Sequence, residues 1–336
     1  MTSPIEVQGS ATEAQPEAVL SGVGAKAIEG RSLGQIAWLR LRRDKIAMAS
    51  AILIFLLILF AILAPVINHF VGVSPTKTDV SVLNFDNGIG EPNGKFGGIS
   101  MAHPFGIEPG LGRDLLARVD TGARYSLIVA LCATALSVIL GTVFGLMAGF
   151  FGGRTDTTIG RLMDTLLAFP QLLFAIALVA VLRTSKYSNS LVANIVILVV
   201  VIGFFSWPYF GRIIRGQTLS LREKEFVDAA RSLGASNSRI LFRELLPNLW
   251  GPILVYSTLI LPTNILFEAA LSYLGVGIPL PNPSWGNMLA DATSGGYYQI
   301  DPEFLLVPGL AIFITVLAFN LLGDSLRDAL DPRSNR

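Results

Sequence analysis

Two carboxylates sit where an ionisable group is hardest to keep. Asp164 and Glu268 both fall inside long apolar runs, and a charge at membrane depth is a functional candidate by default. Asp164 lies about one turn into its run, three residues after Arg161. That spacing suits a structural ion pair on one helix. Glu268 lies near the far end of another run. A carboxylate there either lines a polar path or meets the membrane interface. Other reactive groups are scarce. A single cysteine, Cys132, excludes an internal disulfide and any thiolate cluster. The two histidines, His69 and His103, are too few for a typical zinc site and read as loop residues near the membrane surface. No GxxxxGK[ST] string cradles a phosphate, and no Ser-His-Asp order or paired-carboxylate pocket can be built. The chain is expected to have no catalytic activity and no cofactor of its own.

A different chemistry is written between Glu225 and Pro247. Phe226, Ala229, Ala230 and Leu233 recur at i, i+3, i+4 and i+7, one face of a short helix. Gly234 follows as a natural stop. A second helical stretch is expected from about Ser236 to near Pro247. Small side chains on such a face suit close docking into a partner's groove. The alternative is a solvated connector held by charge pairs.

The elements that carry these residues are set by lipid. The 336 residues are 52% hydrophobic and only 15% charged, against about 25% in soluble domains. A helix needs about 20 apolar residues to cross the hydrocarbon core. Six runs qualify: Ile46 to Ile67, Leu127 to Phe151, Met163 to Leu182, Leu191 to Phe210, Leu249 to Leu271 and Phe304 to Leu322. Pro170, Pro208, Pro262 and Pro308 interrupt them, which a helix bundle tolerates as kinks. The spacing of Gly141, Gly145 and Gly149, with Ala133 and Ser137 before them, makes a small-residue stripe for close helix packing. That packing is either internal or against a second subunit.

Basic residues orient the chain. With the N-terminus inside, 18 of the 25 Lys and Arg are cytoplasmic, so both termini are expected there. Residues 1–30 are polar and expected to be disordered, and 31–45 form a basic juxtamembrane segment. Residues 68–123 form an external loop after the first span. The core 124–323 contains the cytoplasmic loop 212–248, and 324–336 is a C-tail. The segment 272–303 is external and carries no Lys or Arg. The net charge of +1 gives no field for nucleic acid.

The loop pattern resembles the Glu-Ala-Ala loop of binding-protein-dependent ABC permeases. Ala229, Ala230, Gly234, Leu246 and Pro247 match it, Asp228 replaces the usual Glu, and Glu244 stands where the pattern has an aliphatic residue. Further segments are similar to the C-type permeases of dipeptide, oligopeptide and nickel uptake systems. The segment from His103 to Leu127 matches at His103, Pro104, Gly106, Leu111, Gly112, Arg113, Asp114, Gly122, Ala123, Arg124, Ser126 and Leu127, with one extra residue before Gly112. RLMDTLLAFP, EAALSYLGVG, PSWGNML and NLLGDSLRDALDPR follow in the family's order. The resemblance implies an all-α integral membrane protein, a six-transmembrane-helix type I ABC importer permease. It implies ATPase coupling through Glu225, Phe226, Asp228, Ala229, Ala230, Leu233, Gly234, Leu246 and Pro247. It also implies a second homologous permease subunit in a heterodimer, two cytoplasmic ABC ATPase subunits that hold the ATP and Mg, and an extracytoplasmic substrate-binding protein. The substrate is expected to be a peptide, with nickel or a glutathione-like molecule as alternatives. An ion-driven secondary transporter is the rival reading.

Overall fold

In the computed structural model, which describes residues 33–86, 88–184 and 190–330, the apolar runs fold as helices that outlast them. α1 (Leu33–Arg43) and α2 (Lys45–Val71) are separated by Asp44. Its carboxylate accepts hydrogen bonds from the Ile46 and Ala47 amides at 2.8 and 3.3 Å, capping two amides that have no partner inside the helix. α3 (Leu115–Phe151), α4 (Gly153–Ala168), α5 (Gln171–Arg183) and α6 (Leu191–Arg222) follow. Next come α7 (Glu225–Ser232), α8 (Asn237–Arg239), a π-helical segment (Ile240–Leu245) and α9 (Leu246–Tyr273). α10 (Trp285–Ser294) and α11 (Pro302–Leu330) close the order. Among the described residues, the segment between α2 and α3 departs from an all-α description in a two-residue ribbon, β1 (Leu83–Asn84) against β2 (Glu91–Pro92), antiparallel with Leu83 opposite Pro92. The tail 1–30 and residues 331–336 of the C-tail lie outside the described residues.

Among the described residues, five helical stretches are long and apolar enough to cross a membrane: α2, α3, α6, the continuous stretch from Asn237 to Tyr273, and α11. The expected third span is not one helix. α4 and α5 meet at 88°, so the count is five crossings, or six if the bent pair is one broken span. Pro170 explains the break. It cannot donate to the helix, and its ring forces Phe169 to an extended conformation with ψ of 145°. Pro208, Pro262 and Pro308 instead sit inside unbroken helices.

The helices pack in two ways. α3 and α6 come closest, because the glycine stripe brings backbone against backbone. A Cβ on Gly145 would lie 2.7 Å from the Gly211 carbonyl oxygen, and one on Gly149 would lie 2.6 Å from the Thr218 Cβ. α2, α3, α9 and α11 share a core of larger side chains, among them Ile54, Leu127, Ile265 and Phe319. The segment 272–303 is folded rather than irregular. Ser284 and Asn287 form a reciprocal cap on α10, and Met288 and Ala292 pack with Leu115, Val119 and Phe304.

Candidate functional site

α7 is held to the body by one edge. Glu225 and Asp228 lie in its first turn, where negative charge offsets the positive end of the helix. It ends in a Schellman turn: the Gly234 amide donates to the Arg231 carbonyl at 2.9 Å and the Ala235 amide to the Ala230 carbonyl at 3.0 Å. Gly234 takes a φ of +77° to close it, a value that side chains rarely adopt. Val227 is 0% exposed, buried with Leu146 and Phe150 of α3, Ile214 of α6, and Ile240 and Leu245 of the π segment. On the other side Phe226 is 37% and Leu233 87% exposed, with Ala229, Glu225 and Asp228 exposed beside them.

The expected apolar face therefore divides. Ala230 lies between Phe226 and Val227 around the helix axis, and it packs partly against the body. Phe226, Ala229 and Leu233 face outward. Val227, the anchor, is the residue that sequence reasoning passed over. Its spacing of three to Ala230 was the available signal.

Beyond the turn, the chain does not stop near Pro247 as expected. Helix continues from Asn237 to Tyr273. Leu246 donates its amide to the Leu241 carbonyl, five residues back. This wider π turn comes immediately before Pro247, which has no amide and whose ring would crowd the carbonyl four residues earlier. Leu246 is half-buried against the anchor cluster, and Pro247 is exposed. Glu244 is half-buried too, so it is no part of the exposed apolar face.

The end of α3, the start of α4 and the end of α6 are tied together next to this loop. Arg215 pairs with Asp156 (Nη2 to Oδ2 2.8 Å), and Arg222 donates to the Gly149 carbonyl at 3.0 Å. Asp164 pairs with Arg212 of α6, not with Arg161. The partner from another helix displaces the one on its own. Both side chains are at least half exposed, so the pair orients more than it stabilises.

Further buried polar groups lie toward the opposite end of α9. Glu268 is fully buried and does not meet the interface; it accepts a hydrogen bond from Ser272 Oγ at 2.6 Å. Ser272 Oγ in turn accepts the Ile278 amide at 3.2 Å, which ties the carboxylate to the turn after α9. One helical turn inward, Asn264 donates to Thr134 Oγ1 at 2.9 Å and accepts from Ser206 Oγ at 2.7 Å, joining α9, α3 and α6.

At the start of α3 Arg113 pairs with Glu108, and Asp291 of α10 lies 3.1 Å from Arg118 and 3.3 Å from Arg113. Arg118 is wholly buried. Burial, then Glu108, raises the Asp291 carboxyl above its usual range, against the lowering pull of Arg118 and Arg113. His103 Nδ1 lies 2.8 Å from Asp114, whose other oxygen caps α3 by accepting the Ala117 amide at 2.8 Å. Residues eleven apart in the His103–Leu127 stretch thus meet at one helix start. Glu108, Arg118 and Asp291 were not singled out from the sequence, because their pairing depends on α10 folding back onto α3.

No group of three or more His, Cys, Asp or Glu among the described residues is arranged to hold a metal ion. What the geometry offers is mechanical. An exposed apolar and acidic face lies beside the start of the helical stretch Asn237–Tyr273, whose far end is tied to the turn at Ile278.

The chain is similar to known membrane transport proteins. Residues 141–336 match the model of the binding-protein-dependent transport system inner membrane component, and residues 32–84 match the N-terminal transmembrane domain of oligopeptide transport permease C. A dipeptide transport system permease protein of Alkalihalophilus pseudofirmus is 40% identical over 297 residues, covering 88% of this chain and 89% of the relative. An oligopeptide transport system permease protein of Bacillus subtilis is 41% identical over 302 residues, 90% of each. A glutathione transport system permease protein of Escherichia coli is 42% identical over 296 residues, 88% and 89% of the two chains. A chain of the inward-facing MetNI methionine ABC transporter shares the fold, with a TM-score of 0.52 at 18% identity over 64% of this chain and 96% of that one.

Proposed function

This chain belongs to the family of inner membrane components of binding-protein-dependent transport systems, and we propose that it is the permease subunit through which an ATP-driven importer passes peptides. The three relatives named for dipeptide, oligopeptide and glutathione transport support a peptide substrate. ATP and its magnesium are held by two separate cytoplasmic ATPase subunits. A second, homologous permease completes the path, and an external binding protein delivers the substrate. Both termini face the cytoplasm, as the distribution of Lys and Arg favours.

One observation carries the coupling role. α7 buries Val227 to fix itself and leaves Phe226, Ala229 and Leu233 in water, an apolar surface that nothing in the fold requires. An ATPase groove closing over that face would exclude the water. ATP-driven movement of the ATPases then biases the permease between inward-facing and outward-facing states, because each ATPase grips the two states differently.

The test is to express Ala229→Glu and Gly234→Trp with the whole complex and to measure ATPase co-purification and peptide uptake. Ala229 is exposed, so Ala229→Glu leaves the fold alone. Both variants are expected to reach the membrane at normal level, since neither touches a span. Ala229→Glu should lose at least about tenfold in ATPase retention with uptake lost in parallel, and Gly234→Trp should do the same by straining the turn that ends α7. Normal uptake by Ala229→Glu overturns the docking assignment.

A further inference from the structure

The cytoplasmic ends of α2 and α11 leave an apolar groove that neither the docking loop nor the external cap uses. It has a volume of about 290 Å³ and runs between Lys45, Ala49 and Leu53 of α2 and Leu317 and Leu321 of α11. The distance from Lys45 to Leu53 is eight residues, or about 12 Å of helix. That is most of one leaflet's share of a hydrocarbon core about 30 Å thick. The groove therefore begins at the membrane surface and ends near the middle of the bilayer.

Its mouth is basic. Lys45 lines the groove itself, and Arg42 and Arg43 precede it in the last turn of α1. All three are exposed. Asp44 lies among them and stays negative while it caps α2, so these four residues together carry a net two positive charges. On α11, Asp324 and Asp328 flank Arg327 beyond the groove. α1 also has the composition of a helix lying in the interface. Trp38 is 58% exposed and Leu39 is exposed beside it, an aromatic and aliphatic edge next to a basic end. Ala37 is buried, so α1 is held at this position rather than free.

We propose that this groove binds one anionic phospholipid of the cytoplasmic leaflet. An acyl chain fills the space between α2 and α11, and the phosphate and headgroup are held by Arg42, Arg43 and Lys45. Charge selects the occupant. Zwitterionic lipid fits the apolar groove equally well, but only an anionic headgroup draws on the basic cluster at the surface. The site goes beyond the transport role, and it stands even if α7 docks nothing.

The complete transporter, purified in mild detergent, is given equal amounts of dioleoyl phosphatidylglycerol and dioleoyl phosphatidylcholine, and retained lipid is counted by native mass spectrometry. Wild type is expected to keep one phosphatidylglycerol with a preference of at least about fivefold, the size that one basic residue at a membrane surface supplies. The triple variant Arg42→Gln, Arg43→Gln, Lys45→Gln loses the preference, and Ala49→Phe loses the retained lipid of either kind. Wild-type protein is also photolabelled with phosphatidylglycerol carrying a diazirine in its acyl chain. Adducts are expected on residues 45–53 and 317–321. Equal retention of the two lipids by wild type, an unchanged preference in the triple variant, or adducts elsewhere overturns the site.

Discussion

Leu233 and Val227 sit six positions apart on one short helix and have opposite fates. Val227 is sealed in the body, while Leu233 is 87% exposed. A large aliphatic side chain left in water next to a Schellman turn adds nothing to folding, and this contrast separates the grip of α7 from its anchor. At the external end another single residue carries a measurable signature. Asp301, just before α11, is buried near Glu303 and Glu91. Desolvation first, then those two acids, push its carboxyl up to about 6, from 3.8 for an unperturbed Asp. A raised carboxyl means that the fold holds this proton more tightly than the unfolded chain does. The stability it contributes is complete below about pH 4 and is lost as pH rises through about 6. Asp301→Asn cannot ionise and removes that dependence. Its thermal midpoint should match wild type near pH 4 and exceed it increasingly up to pH 7.5. The gain has a ceiling of about 3 kcal/mol, since one pKa unit is worth about 1.4 kcal/mol. Parallel pH profiles of the two proteins would contradict the assignment.

At the scale of elements, the glycine stripe is the feature most dependent on size alone. Gly141, Gly145 and Gly149 let α3 lie on the backbone of α6. Gly145→Ala should cost about 1–3 kcal/mol by overpacking, because its Cβ meets the Gly211 carbonyl and Ile214 at 2.7 and 2.8 Å, and Gly145→Leu should cost more, because three further carbons must fit where even the first does not. Thermal unfolding in detergent reads this directly, with Gly216→Ala on α6 as a control, since no atom lies within 4 Å of a Cβ there. A Gly145→Leu protein as stable as the control would show that the helices are not in contact. The stripe was legible in the sequence because four-residue spacing maps onto one helix face whatever surrounds it. The spans were legible for the same reason, run length being a local quantity. The break at Pro170 was visible only as a kink. A proline marks where a helix is weakened, while the 88° turn depends on what α4 and α5 pack against. The pairing of Asp164 escaped in the same way. Arg161 is near it in sequence, but Arg212 is near it in space. The docking stretch was legible as a helix, a stop and a second helix. Which edge of α7 turns inward depends on Leu146, Phe150 and Ile214, and no pattern local to the loop contains them.

At the scale of the molecule, one helical stretch joins the two ends of the protein. From Asn237 to Tyr273 it spans 37 residues, about 55 Å of rod at 1.5 Å per residue. Its base carries the π segment beside α7, and its outer end carries Glu268 and Ser272, which hold the turn at Ile278. Under the proposed coupling, a displacement imposed at the loop reaches the far end of this stretch only if that tie holds. Glu268 is the critical link because it is buried and hydrogen-bonded, and the tie needs an acceptor for the Ser272 hydroxyl rather than a charge. Glu268→Gln keeps the acceptor and should transport at a rate close to wild type. Glu268→Ala removes it and leaves a cavity, a loss of about 2–4 kcal/mol at the outer end. In the assembled transporter, Glu268→Ala should still retain its ATPases and hydrolyse ATP, while uptake per ATP falls severalfold. The ratio of uptake to hydrolysis is the readout, since a mere loss of protein lowers both together. If Glu268→Gln fails as badly as Glu268→Ala, the negative charge itself is required. The carboxylate then belongs to the translocation path, and the rod is not tied at its outer end in the way the hydrogen bonds describe.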